Sequence, residues 1–534
     1  MADQTRKKLQ QVNVHLVKSS ITDYTEALAD DKSPRSLVAN KTVLPSGVLY
    51  YEAPPARRAG WRDFLEPAFG TDLPAFNSKH ASALLFFRAG SGKSKRVFVV
   101  TFGYGRALLD ESALEADFGL RTALNLCNPD TLRAVNYRTI EERTRIGRIQ
   151  LSDAGSVDAF HINMDTDLLR GLEADSKDKA VCERLGARWS NLIVAARVEI
   201  GDLPGLATDL LTNYRKRKLP AEYAWIDNVR RETDPSLIES LNKELESRVN
   251  NSDLDGIRLA MPEIAGSTVG VDAKLFAPEP DAEDFTSDFA VYLDKRKRQV
   301  EWRVETARTR QKVFLIDSST GKEKEYTSVY RCIVAEFDYH GNRYLLVDGE
   351  WFHLNRDFVN EVNSALSKIP VLKHGLPTWK NGEKEGDWNE RACKSWADAA
   401  LLDKSNIPYG GGRSKIEPAD ILTKGQVFGH AKRRDKSSSG LSHLFAQGVV
   451  AARLICQDER FRKEVVKRIP ASHKAVATKL DGGFDPRAWT IGYIILGANA
   501  KKPTTSLPFF SKVNLRGAIE QLQLMGYKIG IIGV

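Results

Sequence analysis

Cysteine is scarce in this 534-residue chain and badly spaced for structural chemistry. The five present (Cys127, Cys182, Cys332, Cys393 and Cys456) are odd in number and never fall as Cys-x-x-Cys. That spacing argues against a disulfide framework or a zinc site and for a reducing compartment. Long apolar runs are missing as well. No stretch reaches the roughly 18 apolar residues that a membrane span needs, so no membrane partner is expected. Met1–Gln11 is polar and charged and lacks the apolar core of a secretory signal, which makes the cytoplasm the expected location. A complete phosphate loop is also lacking. Gly90–Ser94 reads GSGKS, but Phe87 stands where the first glycine of such a loop belongs, and the apolar run Val97–Val100 follows instead of a helix. The segment therefore reads as a hairpin turn, and no nucleotide cofactor is expected.

Acidic residues run short in one region only. From His430 to Val534 there are 7 Asp plus Glu against 18 Lys plus Arg, a surplus of +11. The preceding 429 residues hold 63 acidic against 61 basic side chains, a balance of −2, so the basic excess sits at one end. Such a local surplus attracts polyanions, nucleic acid first among them. The plainer alternative is a solvated basic face with no partner.

The length calls for several cores of roughly 100–200 residues each. Alternating patterns and turn residues divide the chain into an α+β segment at 1–175, a mainly helical segment at 176–276 and an acidic linker or loop at 277–288. A β-rich segment at 289–387 and a basic α/β module at 388–534 follow. The module reads as helix (Trp388–Leu402), strands (Ser414–Leu422 and Gln426–Lys432), helix (Ser442–Gln457), strand (Thr490–Gly497), helix (Asn514–Met525) and strand (Tyr527–Gly533). That alternation implies a mixed sheet covered by helices.

Ser414–Ile421 reads SKIEPADI, and Gln426–Arg433 reads QVFGHAKR. Metal-dependent phosphodiester hydrolysis needs carboxylates to hold Mg2+ or Mn2+ and a lysine to orient water. In the PD-(D/E)XK arrangement an aspartate comes from one strand, and an acid-x-lysine pair shares a face of the next. Asp420 takes the first role here. Lys432 takes the lysine role, and His430 stands in the acidic slot. Glu417 adds a carboxylate at the same edge, Glu390 is the acid on the preceding helix, and Gln447 would orient substrate. Asp420, Glu417 and Glu390 are the expected metal ligands. Histidine binds divalent metals, but Mg2+ prefers oxygen, so three readings stay open: an active nuclease, a degenerate binding core, and coincidence of a common pattern.

Arg433, Arg434 and Lys436 form a basic loop suited to phosphate contact, with Ser442 expected to cap the next helix beside His443. Lys512, ahead of a helix capped by Asn514, is a weaker candidate of the same kind. The bland reading of each is a solvated loop and a capped core helix.

Several motifs carry a resemblance along the whole chain: FGYGR (Phe102–Arg106), FGLRTALN (Phe118–Asn125), WIDN (Trp225–Asn228), DGEWF (Asp348–Phe352), LSHLFAQG (Leu441–Gly448) and LPFFSKVNLR (Leu507–Arg516). On these the chain resembles the DUF6119 family of sporadically distributed bacterial proteins. The resemblance implies that His430 is the family's ordinary residue, and that the gene belongs with mobile or anti-phage defence systems. A partner protein from such a system is implied too. It carries over no reaction. The leading expectation is a defence-associated nucleic-acid-binding protein with a nuclease-like site; the alternative is a non-catalytic sensor or adaptor.

Overall fold

The computed structural model describes residues 7–52, 57–58, 77–78, 81–92, 95–139, 145–216, 218–262, 271–275, 283–296, 301–317, 321, 323–380, 382–409, 414–434 and 439–534. Lys436, the Lys93-Ser94 end of the glycine turn and residues 277–282 of the acidic stretch lie outside the described residues. The chain is a mixed α/β protein with several antiparallel sheets, divided into two compact units at residues 227/228 apart from a short crossover at 139–145. Among the described residues no helix is long and apolar enough to cross a membrane.

The first unit is built on a ten-stranded sheet. Ser82–Ala89 and Arg96–Gly103 pair antiparallel from Ala89↔Arg96 to Ser82↔Gly103, so the GSGKS segment joins two hairpin strands. Alternation buries Leu85 and Phe87 from one strand and Phe98 and Val100 from the other in a single core. The helices Phe118–Leu126 and Leu203–Tyr214 supply further residues of that core, including Phe118, Leu124, Leu206 and Leu210. A Cβ on Gly119 would lie 2.1 Å from the Asn191 carbonyl oxygen, so only glycine lets that helix approach the strand so closely. The stretch read as mainly helical also contributes two strands to this sheet, Arg184–Arg188 and Asn191–Arg197.

The second unit holds three sheets of four or five strands. The C-terminal one sets up the site. Its strands in spatial order are β1 (Ala399–Leu401), β2 (Ile421–Thr423), β3 (Val427–Arg433), β4 (Thr490–Leu496) and β5 (Lys528–Gly533). β1–β2 and β2–β3 are antiparallel, while β3–β4 and β4–β5 are parallel. Helix α1 (Glu385–Ser395) precedes β1, α2 (Ser439–Gln457) connects β3 to β4, and α3 (Phe509–Leu524) connects β4 to β5. The expected mixed α/β layer is therefore present. Two elements differ in extent. The long helix read through Leu402 ends at Ser395, and Ala399–Leu401 extends as an edge strand. The strand read over Ser414–Leu422 is broken at Glu417–Asp420, where Pro418 can donate nothing to a ladder.

A buried carboxylate ties this sheet to its neighbour in the same unit. Glu336, on the antiparallel strand Ile333–Tyr339, accepts hydrogen bonds from the backbone amides of Phe509 and Phe510 at the start of α3. An acid there satisfies orphan donors and meets the positive end of the helix dipole. Arg343 balances it, 3.8 Å from Glu336 and 2.6 Å from Asp338. We expect Glu336→Ala to cost about 1–3 kcal/mol of unfolding free energy, since it removes the charged cap of two amides and leaves Arg343 with Asp338 alone. Glu336→Gln should recover part of that loss in denaturant titration. An unchanged midpoint for Glu336→Ala would overturn this account of the junction.

Candidate metal centre in the C-terminal sheet

The geometry starts from the β2–β3 register. Ile421 pairs with Gly429 and Leu422 with Phe428. Asp420 continues it, its amide donating to the Gly429 carbonyl at 2.9 Å, which sets Asp420 opposite His430. Its side-chain Oδ2 accepts the Ala431 amide at 2.7 Å, so the carboxylate is clamped onto β3. Its carbonyl accepts the amides of Leu402 (2.8 Å) and Asp403 (3.0 Å), which brings in the segment that follows β1. Glu417 in turn accepts the Lys404 amide, and its Oε2 accepts Gln447 Nε2 from α2 at 3.1 Å. Oxygens of Asp403, Glu417 and Asp420 thereby lie within 4.8 Å of one another, with Asp420 buried and the other two half-buried.

Crowding and burial set the protonation of this cluster. Asp420 is pushed up to about 8, chiefly by burial; the Ala431 amide opposes that, and the charges of Glu417, Glu385 and Asp403 reinforce it. Glu417 is raised first by burial, the Lys404 amide opposing and Asp403 adding to the shift. Two lysines stand nearby. Lys432 is already paired, its Nζ 3.2 and 3.3 Å from the two oxygens of Glu385. Lys404 is exposed, and its ammonium has no ion pair among the described residues. A Cβ on Gly386 would lie 3.4 Å from Lys404 Nζ and 3.5 Å from Asp403 Oδ2, which puts that ammonium on the Asp403 side of the cluster. Lys404 has φ +63°, a strained conformation for a side-chain-bearing residue and of a kind concentrated at functional sites.

The structure brings Asp420, Glu417 and Gln447 together, and Lys432 joins them through Glu385. His430 is fully buried, and its ring nitrogens lack hydrogen-bond partners among the described residues. Burial pushes its pKa down to about 4, which keeps the ring neutral. It lies 6.2 Å from the Tyr493 ring and is not one of the three residues whose ligand atoms converge. Glu390 is corrected outright. It is exposed and pairs with Lys394 at 3.6 Å; the helical acid near the cluster is Glu385, in the first turn of α1. Ser442 is not a cap, because α2 already begins at Ser439, which also places Gln447 a turn deeper than expected.

Lys512 is corrected too. α3 starts at Phe509, so Lys512 sits inside its first turn, buried, donating to Asn363 Oδ1 at 3.0 Å. Burial, with Arg343 adding, lowers its pKa. Of the expected phosphate contacts, Arg433 and His443 are exposed, while Arg434 is bonded to Asp255 at 2.6 Å. Sequence reasoning missed Asp403 and Glu385. Asp403 had a readable signal, an acid directly after the apolar run Ala399–Leu402, but a helix assignment there concealed it.

The folded-state pKa of Asp420 lies well above its ordinary 3.8, so folding takes up a proton between those values. This group's stabilisation is full below the unfolded value and is lost as pH rises through about 8. In metal-free buffer, Asp420→Asn, which mimics the neutral acid, should match wild type in melting temperature near pH 4. It should exceed wild type increasingly toward pH 9. A difference independent of pH would show that Asp420 ionises as an ordinary aspartate.

Residues 12–534 match the family of unknown function DUF6119. No curated protein and no solved structure matches the chain. With nearly its whole length covered, the protein belongs to the DUF6119 family.

Proposed function

We propose that the C-terminal module binds nucleic acid and hydrolyses its phosphodiester bonds with a divalent cation, at a divergent PD-(D/E)XK-like site. The observation that carries this reading is the convergence of Asp403, Glu417 and Asp420 around one buried carboxylate. The donor set fits the group: carboxylate oxygens are the hard ligands that Mg2+ and Mn2+ take, and positive charge there would relieve the crowding that raises Asp420. When bound, such a cation neutralises phosphate charge and acidifies water.

The chain's own residues have separable tasks. Asp403, Glu417 and Asp420 hold the cation. Gln447 fixes the Glu417 carboxylate through its amide. Lys404, whose ammonium has no ion pair among the described residues, faces phosphate or orients water, and Lys432 with Glu385 holds the end of β3 in place. Arg433 and His443, exposed near this edge, belong to a region with an excess of basic residues that favours a polyanion. A defence role and a partner protein are part of the proposal and rest on the family's sporadic distribution alone.

Full-length protein incubated with DNA and RNA oligonucleotides in Mg2+ or Mn2+ tests the reading. Asp420→Asn and Asp403→Asn should lower cleavage roughly a hundredfold or more, about 2.7 kcal/mol or more of transition-state stabilisation. Absence of cleavage with every metal, alongside retained salt-sensitive binding, would replace it with the non-catalytic adaptor. Lys404 has a distinct signature. Lys404→Gly should gain about 1 kcal/mol of stability by relieving the left-handed backbone while lowering cleavage. A stability gain with full activity would show the strain to be unrelated to catalysis.

A further inference from the structure

Asn389 is one of the most deeply buried polar side chains in the second unit, 1% exposed, and neither its amide oxygen nor its nitrogen has a hydrogen-bond partner among the described residues. Leaving such atoms unpaired costs about 1–3 kcal/mol each. A residue kept there at that cost calls for a ligand.

Its position on α1 says which one. Residues spaced three and four apart share a helix face, so Glu385, Gly386, Asn389 and Cys393 form one stripe. The side of that stripe is set by its other members. Glu385 reaches Lys432 and the Arg433 amide and acts electrostatically on Glu417 and Asp420. The Gly386 Cβ position is 3.5 Å from Asp403 Oδ2, and the Cys393 thiol is raised to about 11 by burial and by Asp403. Asp403 therefore lies alongside the stripe at Gly386 and within electrostatic reach of Cys393, and Asn389 lies between those two residues. Trp388 and Ala392, on the adjacent face, pack into the sheet core with Cys393 against its margin, so Asn389 sits between that core and the Gly386 side of the stripe, where Asp403 lies.

We infer that Asn389 supplies its side-chain carbonyl oxygen to a divalent cation held by Asp403, Glu417 and Asp420. The inference rests on reading those three carboxylates as a cation site. An amide oxygen is the neutral hard donor that Mg2+ and Mn2+ accept beside carboxylates, and a fourth ligand without charge avoids adding to the local repulsion. The protonated Cys393 thiol at the margin does not compete for a hard cation.

The test is Mn2+ affinity of the full-length protein, measured by electron paramagnetic resonance, with melting temperature of the metal-free protein alongside. Asn389→Ala and the near-isosteric Asn389→Leu should weaken Mn2+ binding about tenfold or more, with the metal-free melting temperature unchanged or raised. If wild type binds Mn2+, Asp420→Asn abolishes that binding, and both Asn389 variants bind as wild type, the inference fails while the cation site stands. If wild type binds no Mn2+, or Asp420→Asn binds it unchanged, the underlying site fails and Asn389 with it. Should Asn389→Ala fold poorly, Asn389→Leu keeps the volume filled and decides the matter.

Discussion

The C-terminal module is organised by a single costly arrangement: a buried carboxylate, Asp420, with two more acids close by and a fourth within electrostatic reach. Burial and like charge both oppose ionisation, and what offsets them at Asp420 itself is the Ala431 amide. Proteins seldom collect acids in this way without a cation or a catalytic use for the shifted proton. The backbone makes the arrangement unavoidable. The Asp420 carbonyl receives the amides of Leu402 and Asp403, its own amide pairs with β3 at Gly429, and its side chain holds β3 again two residues on, at Ala431. Asp420 cannot move away from its neighbours without undoing the junction of three chain segments.

The cation balance follows from the same geometry. Glu385 takes up Lys432, which leaves that ammonium with little charge to offer the cluster. Lys404 is the less committed group, and its left-handed backbone is what lets its amide serve Glu417 while its side chain lies on the Asp403 side. The two lysines thus divide a role that the strand pattern alone gives to one. On the proposed reading, positioning falls to Lys432 and charge to Lys404.

Much of the module was legible in the sequence, and for identifiable reasons. The strands Gln426–Lys432 and Thr490–Gly497 carry apolar runs long enough to outvote local ambiguity, and they form nearly where the patterns put them. Asp420 and Glu417 were readable from their place near the end of one strand pattern, ahead of the next strand with its His430-x-Lys432 pair, whereas the break that Pro418 imposes there was not. What was not legible depended on register between distant segments. Helical spacing in Trp388–Leu402 outweighed the short extended run Ala399–Leu401, so Asp403 was hidden in a helix that ends at Ser395. Lys512 looked like an exposed turn residue because the Pro508 start of α3 was placed one turn late, and Glu336, the acid that draws that helix end inward, lies on a different sheet.

The histidine in the acidic slot takes on a different meaning in three dimensions. Read along β3, His430 looks like the loss of a ligand, and with it of the chemistry. In the fold, Asp403 arrives beside Asp420 from the end of β1 and supplies a carboxylate to the cluster, while His430 is buried and neutral across from Asp420 on β3. An acid at 430 would have added one more negative charge to a position with no exposure, next to a carboxylate already raised to about 8. The neutral ring is the residue that this crowding tolerates. A pattern defined along one strand underestimates the site, because the number of carboxylates is fixed by the electrostatics of the cluster, and the chain is free to deliver them from whichever segment the backbone hydrogen bonds bring near.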